Sequence, residues 1–354
     1  MTDANAEPVG ADAVPSAVAT PKSARLLSLD VFRGLTILGM ILVNNAGSRG
    51  RQFGPLVHAE WHGWTLTDLI FPFFLFIMGT AMAFSLKRYR TGERVDASVY
   101  RKIVQRTVVL LLLGLMLNLS KNSLGWLLGY GDSLHLETLR LTGVLQRIAL
   151  VYLAASLIVL NFGLRAQVAI GAAILLGFWA MLAWLPNPND YQANLSPAGN
   201  FGRVVDVALI GEAHMRDQAK TEPSDPTGLL GTLPAIVSAL IGYWAGLLIE
   251  RRGLGRETLV GLVIAGVVVT AAGLAWDYAF PINKKLWTSS YVLLSGGLAC
   301  ICLAGCLWLF GVRHWRRRAR PVEIVGINAI AAYVGAELLS VVLGTVRVGS
   351  TSVK

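Results

Sequence analysis

The chain has little charge. Only 15% of its 354 residues are Asp, Glu, Lys or Arg, against about a quarter in soluble domains, which excludes an ordinary soluble globular fold. Cysteine is scarce as well: Cys300, Cys302 and Cys306 all fall in one apolar run. They support neither a disulfide framework nor a metal site and read as small buried thiols. The first two dozen residues, rich in Ala, Pro and Asp, have no apolar core, so they are not a cleavable signal. They are expected to form a disordered cytoplasmic tail over residues 1–24. Walker A, zincin, nucleophile-elbow and dinucleotide-binding patterns are absent in any plausible context.

What the chain has is long hydrophobic runs. Apolar residues make up 54% of it and mean hydropathy is +0.57. Runs near 31–46, 66–86, 103–119, 141–162, 167–185, 229–249, 257–280, 289–311 and 323–344 are each about long enough to cross a hydrocarbon core. They are continuous, without the alternation of barrel strands, and backbone groups in lipid must be satisfied within the segment. The expected fold is therefore all-α, a transmembrane bundle of about nine spans occupying residues 25–354.

The formal charge of +10 follows topology. With a cytoplasmic N-terminus, the inside loops hold Lys22 and Arg25, a cluster from Lys87 to Lys102, Arg165, Arg251 to Arg256, and Arg313 to Arg320. The outside loops are sparser in Lys and Arg, as the positive-inside rule requires. Basic runs directly against a span meet anionic membrane lipids, so nucleic acid is excluded as a partner. The longest outside loop, 186–227, is rich in turn residues, and we expect a partly ordered cap there.

Polar residues concentrate at the ends of the first two spans. Asp30 and Arg33 open the first and Asn44 and Asn45 close it; eleven residues of helix separate Arg33 from Asn44, about 16 Å. Beyond lie His58, Trp61 and His62, then Asp68 at the start of the second span. Imidazole is the side chain suited to proton transfer near neutral pH, and Asp68 is placed to orient it. The alternatives are an exposed loop histidine in an aromatic belt and a first-turn carboxylate favoured by the helix dipole. Asn44 reads as an oxyanion donor or as a helix-end cap, and Asn45 likewise. Arg33 reads as a phosphate ligand or as the partner of Asp30. Gln146 and Arg147, polar within a span, default to functional candidates, with snorkelling as the alternative. Asp225-Pro226 reads as an N-cap followed by an N1 proline; Gly231, Ala235, Gly242 and Gly246 allow close helix packing. Asn328 reads as an interhelical bond or a substrate contact.

Taken in order, S-L-D-V-F-R-G-L, V-N, H-A-E-W-H-G-W-T-L-T-D-L-I-F-P-F-F-L-F-I-M-G, L-T-G-V-L-Q-R-I, D-P-T-G-L-L-G-T, P-I-N-K-K-L-W-T-S-S-Y and G-I-N-A-I-A-A-Y-V-G resemble the heparan-α-glucosaminide N-acetyltransferase family of transmembrane acyltransferases, in a compact bacterial-type form. The resemblance runs from about Arg25 to Glu337. It implies transfer of acetyl from acetyl-CoA, as co-substrate, to the amino group of a glucosamine-type sugar or oligosaccharide, with no metal. The family's catalytic histidine falls on His58 and the asparagine of its V-N motif on Asn44. His58 is then base or acetyl carrier, Asn44 the oxyanion donor and Asp68 the orienting group. Arg33, Gln146 and Arg147 are the expected co-substrate contacts, and Trp61, Asn283 and Lys284 the acceptor contacts. Broader membrane O-acyltransferases place a histidine eleven positions after the first-span arginine. Here Asn44 stands at that spacing, which moves the base to His58.

The expected setting is the bacterial inner membrane, with a second copy of the chain as a further candidate partner. Members of the family continue through another span past the ninth, and the animal lysosomal ones carry a large domain ahead of the first; the sequence given holds neither. Two other functions fit the composition: a secondary transporter of sugars or cell-wall fragments, and an O-acetyltransferase of an envelope polysaccharide.

Overall fold

A computed structural model describes residues 26–45, 53–90, 95–127, 136–187, 193–216, 225–313 and 315–345, with a two-residue antiparallel pairing of Arg347–Val348 and Thr351–Ser352 beyond. The expected N-terminal tail and parts of the long outside loop lie outside the described residues.

Successive long helices traverse the bundle in alternating directions: α1 (Leu27–Asn44), α2 (Leu66–Ser85), the short α3 (Lys87–Arg90), α4 (Ala97–Leu127), α5 (Val144–Asn161) and α6 (Leu164–Trp184). The short α7 (Phe201–Ile210) lies in the long loop. Then follow α8 (Thr232–Arg252), α9 (Arg256–Asp277), α10 (Ser289–Cys306, extended by a π-turn through Val312), α11 (Arg316–Ile327) and α12 (Ala329–Thr345). Among the described residues eight helices are long and apolar enough to cross a membrane, nine if α11 and α12 count as one broken span. The protein is an integral, multi-pass membrane protein.

The ninth run, expected as a single helix over 323–344, is bent by 85° between α11 and α12. Asn328 stands at the break, its amide donating to Ile324 O at 3.0 Å. Its amide bonds back to its own helix and not across to a neighbouring one. A second correction concerns α8, which begins at Thr232 behind Gly231. Asp225 is therefore not its N-cap; its carboxylate closes a turn by accepting from Thr227 N at 2.8 Å.

α8 and α2 form the centre, and glycine lets them touch backbone to backbone. A Cβ at Gly79 would stand 1.8 Å from Ala239 O, and one at Gly242 1.9 Å from Phe76 O. A Cβ at Gly246 would stand 2.7 Å from Ala83 Cβ and Thr80 O, so Gly242 and Gly246, two of the small residues expected on this span, do face a neighbour. Thr80 Oγ1 bridges the pair by donating to Gly242 O at 3.0 Å. The same device joins α1 to α11, where a Cβ at Gly326 would meet Asp30 O at 1.8 Å. On the periphery, α9 turns Val260, Ile264, Val267 and Val268 outward, a face suited to lipid. The three cysteines sit on α10, Cys300 and Cys306 buried and Cys302 exposed, all as free thiols.

Gly242→Val places a branched side chain where Phe76 O already stands. It is expected to cost about 3 kcal/mol or more, read as a fall in apparent Tm in detergent, whereas Gly177→Ala, with nothing within 4 Å of its Cβ, should leave Tm unchanged.

Candidate functional site

At the end of the bundle where α1 finishes and α2 begins, residues 53–65 fold across the helix ends. Asp68 organises this segment. As the third residue of α2 it completes a capping box with Thr65, accepting from Thr65 N at 3.0 Å and Thr65 Oγ1 at 3.2 Å through Oδ2. The same oxygen accepts from Ala59 N at 3.1 Å. Oδ1 is turned the other way and lies 2.7 Å from His58 Nδ1 and 3.2 Å from Lys284 Nζ. The acid is 1% exposed and the imidazole 47%: the orienting group is buried and the ring it orients is open.

Nδ1 cannot donate to the Asp68 carboxylate and accept from the Lys284 ammonium at once. Lys284 Nζ lies 3.0 Å from it, yet an ionised Asp68 brings no proton to the ring, so the consistent arrangement has Nδ1–H and the lysine both donating to Oδ1. Nε2 then carries the free lone pair. Burial lowers the Lys284 ammonium to about 8, against the opposing pull of Asp68.

The segment 278–288 delivers Lys284, and its own fold is specified locally. Asn283 is fully buried: its Oδ1 accepts from Leu286 N at 2.9 Å, its N–H donates to Thr288 Oγ1 at 2.9 Å, and its backbone pairs with Gly63. Its Nδ2 lies 3.4 Å from His62 Nδ1, on a ring whose pKa burial lowers. Trp287 follows with φ +60°, a left-handed conformation that costs a bulky residue about 1–2 kcal/mol. It is held there by edge contacts to Phe71 at 5.0 Å and Tyr291 at 5.3 Å. Tyr291 in turn donates its hydroxyl to Asp68 O at 2.5 Å. Lys285 donates to Glu60 O and lies over the Trp61 ring, while Trp61 Nε1 donates to Leu195 O at 2.7 Å. Trp61 thus anchors residues 53–65 to the long loop.

A cavity of about 1060 Å³ opens beside the histidine. Asn44, His58, Trp61, Asp68, Gln146 and Lys284 all line it, so six of the nine residues expected from sequence converge. Three do not. Asn283 sits behind Lys284 as a positioning group. Arg147 is buried at 1% exposure, stacked on Trp287 at 4.9 Å and donating to Gly228 O. Arg33 lies near the opposite end of α1, bonded to Asp30 at 3.0 Å and Gly326 O at 3.3 Å. The three expected co-substrate contacts therefore do not form one group.

Asn44 also departs from expectation. Its amide donates to Glu337 Oε1 of α12 at 3.0 Å, and Glu337 accepts from Lys121 of α4 at 2.9 Å. Asn45 is the cap, donating to Ile41 O. Sequence reasoning passed over Glu337, although an acid inside an apolar run is a recognised signal. Tyr291, acting through a backbone carbonyl, offered none. It passed over Arg140 as well, which binds Asp225 with two guanidinium nitrogens at 2.9 and 2.7 Å. Arg140, Thr142 and Thr227 together hold the Asp225 carboxyl below the usual range despite its burial. Asp206 on α7 is pushed up to about 6 by burial, partly offset by the Leu229 and Leu230 amides that it accepts from. Among the described residues no cluster of His, Cys, Asp or Glu is fit to hold a metal.

Fold and site together define a multi-pass helical membrane protein with a carboxylate-oriented histidine lining a large cavity. The profile of the heparan-alpha-glucosaminide N-acetyltransferase catalytic family matches residues 25–201, half of the chain, and the chain belongs to that family. It is 27% identical over 365 aligned positions to heparan-alpha-glucosaminide N-acetyltransferase of Homo sapiens, covering 89% of this chain and 53% of the human protein. It is 28% identical over 389 to that of Mus musculus, covering 94% and 56%. The chain thus spans little more than half the length of these curated relatives.

Because the Lys284 pKa is lowered in the folded protein, the unfolded chain binds more protons between about pH 8 and about 10.5. Stability from this group therefore rises with pH across that window. Lys284→Gln should flatten the slope by up to ~1.4 kcal/mol per pH unit, measured by chemical unfolding in detergent at pH 8 and pH 10.

Proposed function

We propose that the chain transfers acetyl from acetyl-CoA to the amino group of a glucosamine-type sugar, with His58 as general base. The observation that carries this reading is the geometry at His58: a ring half open to a 1060 Å³ cavity and tied at Nδ1 to a buried, fully hydrogen-bonded carboxylate. It stands in a chain whose family is named for N-acetyl transfer.

In this mechanism the amine nitrogen attacks the thioester carbonyl, forming the C–N bond and breaking the C–S bond. His58 Nε2 takes the proton that the nitrogen sheds and returns it to the departing thiolate, so amide and free thiol are the products. Asp68 keeps the ring in the tautomer that exposes Nε2 and stabilises the imidazolium formed in passing. The cavity lining carries Lys121, Arg140, Arg216, Lys284 and Lys285 against Asp68 and Glu337, a net positive surface, and the acetyl-CoA arm would reach it through the bundle from the inside. Arg33, expected at the phosphates, acts in this reading as a tie between α1 and α11. Trp61 offers the acceptor sugar an aromatic face.

We place the protein in a bacterial cytoplasmic membrane with its N-terminus inside, on the distribution of Lys and Arg among its loops. The catalytic end then faces outward, which favours an amino sugar of the cell envelope as acceptor.

The test is turnover of labelled acetyl-CoA with glucosamine and amino-sugar oligosaccharides by the purified protein. Alkali-stable amide is expected from wild type. His58→Ala should fall to background and Asp68→Asn by about 10²–10⁴-fold in kcat, both variants keeping wild-type elution. An alkali-labile ester would replace this reading with O-acetylation; sugar movement driven by an ion gradient without thioester consumption would replace it with transport. Turnover surviving in His58→Ala would remove the histidine from the mechanism.

A further inference from the structure

Gln146 is 6% exposed, and its Nε2 is buried with no hydrogen-bond partner among the described residues. It occupies the first turn of α5, and Gly143, Val144, Leu145 and Gln146 all line the cavity beside His58. Gly143, at the N-cap, supplies no side-chain acceptor to this helix end. The first-turn N–H groups of a helix have no intrahelical acceptor, and the end carries a partial positive charge.

The amide is confined by two backbones. A Cβ at Gly114 of α4 would stand 2.4 Å from Gln146 Oε1, and one at Gly143 would stand 2.5 Å from it. It is thus held in place, beside a helix N-terminus, with a donor that no protein group uses. Asn44, the residue expected to donate to an oxyanion, has one of its two amide N–H groups directed at Glu337.

The geometry points to the first turn of α5, with the Gln146 amide, as the subsite for the carbonyl oxygen of the acyl group under transfer. This assignment rests on the acyl-transfer reading. The chemistry of the site favours an electron-rich oxygen: the Gln146 Nε2 and the first-turn N–H groups of α5 are donors, and the helix end adds positive potential. The positive potential of the helix end disfavours an ammonium, so the subsite takes the acyl donor and leaves the acceptor amine to His58. Gln146 is then a catalytic residue, and Gly114 and Gly143 are positioning residues that leave it room.

Two coenzyme A thioethers of equal length separate this assignment from its competitors. S-acetonyl-CoA keeps a carbonyl near the thioester position, and S-propyl-CoA has a methylene instead. Binding is measured by calorimetry on the purified full chain in detergent. Wild type is expected to prefer the ketone by about tenfold or more, the scale of one hydrogen bond to a matched group. Gln146→Met should bind the propyl compound as wild type does, which shows that it is folded, and lose the preference for the ketone. Its kcat should fall by about 10²-fold with the KM for the acceptor unchanged. A ketone preference retained in Gln146→Met, or absent in wild type, overturns the assignment while leaving the acyl-transfer reading in place. Failure of both compounds to bind wild type removes that reading, and the subsite with it.

Discussion

The Asp68 carboxylate is the constraint on which the rest of the site depends. One oxygen is satisfied by the turn that starts α2, through Thr65 and Ala59; the other faces His58 and Lys284. A single side chain therefore specifies where α2 begins, how residues 57–65 cross the helix ends, and where an imidazole and an ammonium meet. An ionised carboxylate taken out of water costs several kcal/mol unless its lone pairs are occupied, and here each oxygen has at least two donors. That filling makes it a rigid reference point: with no lone pair left to seek water, the carboxylate has no second arrangement to adopt. The histidine inherits the rigidity, although its own ring is half exposed.

A second carboxylate plays a comparable part on the other wall of the cavity. Asp225 accepts from Arg140, Thr142 and Thr227 and from the backbone of Arg216, joining the segment before α5 to the segment before α8. Asn118 of α4 adds to this wall by donating to Arg140 O and Thr142 O at 2.8 Å each. Irregular backbone at the ends of membrane helices needs such internal partners, since lipid offers none. The wall that presents Gln146 is thereby as firmly specified as the wall that presents His58, which a site acting on two substrates requires.

Much of this was legible in the sequence and some was not, for physical reasons. Apolar runs of about 20 residues located every long helix, because that signal is set by the thickness of the hydrocarbon core. The break at Asn328 escaped it, since a bent helix buries the same kind of residues as a straight one. The pairing of His58 with Asp68 was readable from spacing, ten residues apart across one turn and one helix start. That Arg33 and Arg147 stand away from the cavity that Gln146 lines was not legible, because the apolar pattern does not say which side chain is already engaged. Arg33 is bonded to Gly326 O on a helix nearly 300 positions later in the chain, a contact that no local pattern encodes. Asp225 was misread for a related reason: Asp-Pro is a fair helix-start signal, but the carboxylate found stronger donors in Arg140.

The fate of Asn44 shows how tertiary engagement reassigns chemical roles. An amide at the end of α1, close to the histidine in sequence, is a natural oxyanion donor on paper. In the fold its N–H is directed at Glu337, which also takes Lys121, so the three side chains tie α1, α4 and α12 together at the cavity rim. Withdrawing Asn44 from that tie would leave the carboxylate one donor short at a helix junction, and the bond to an ionised acceptor is stronger than one to a neutral carbonyl. Gln146 faces no such competition. Its Nε2 is buried with no hydrogen-bond partner among the described residues, beside a segment held by Asp225 and Asn118, and a polar group in that state regains its desolvation cost when an acceptor reaches it.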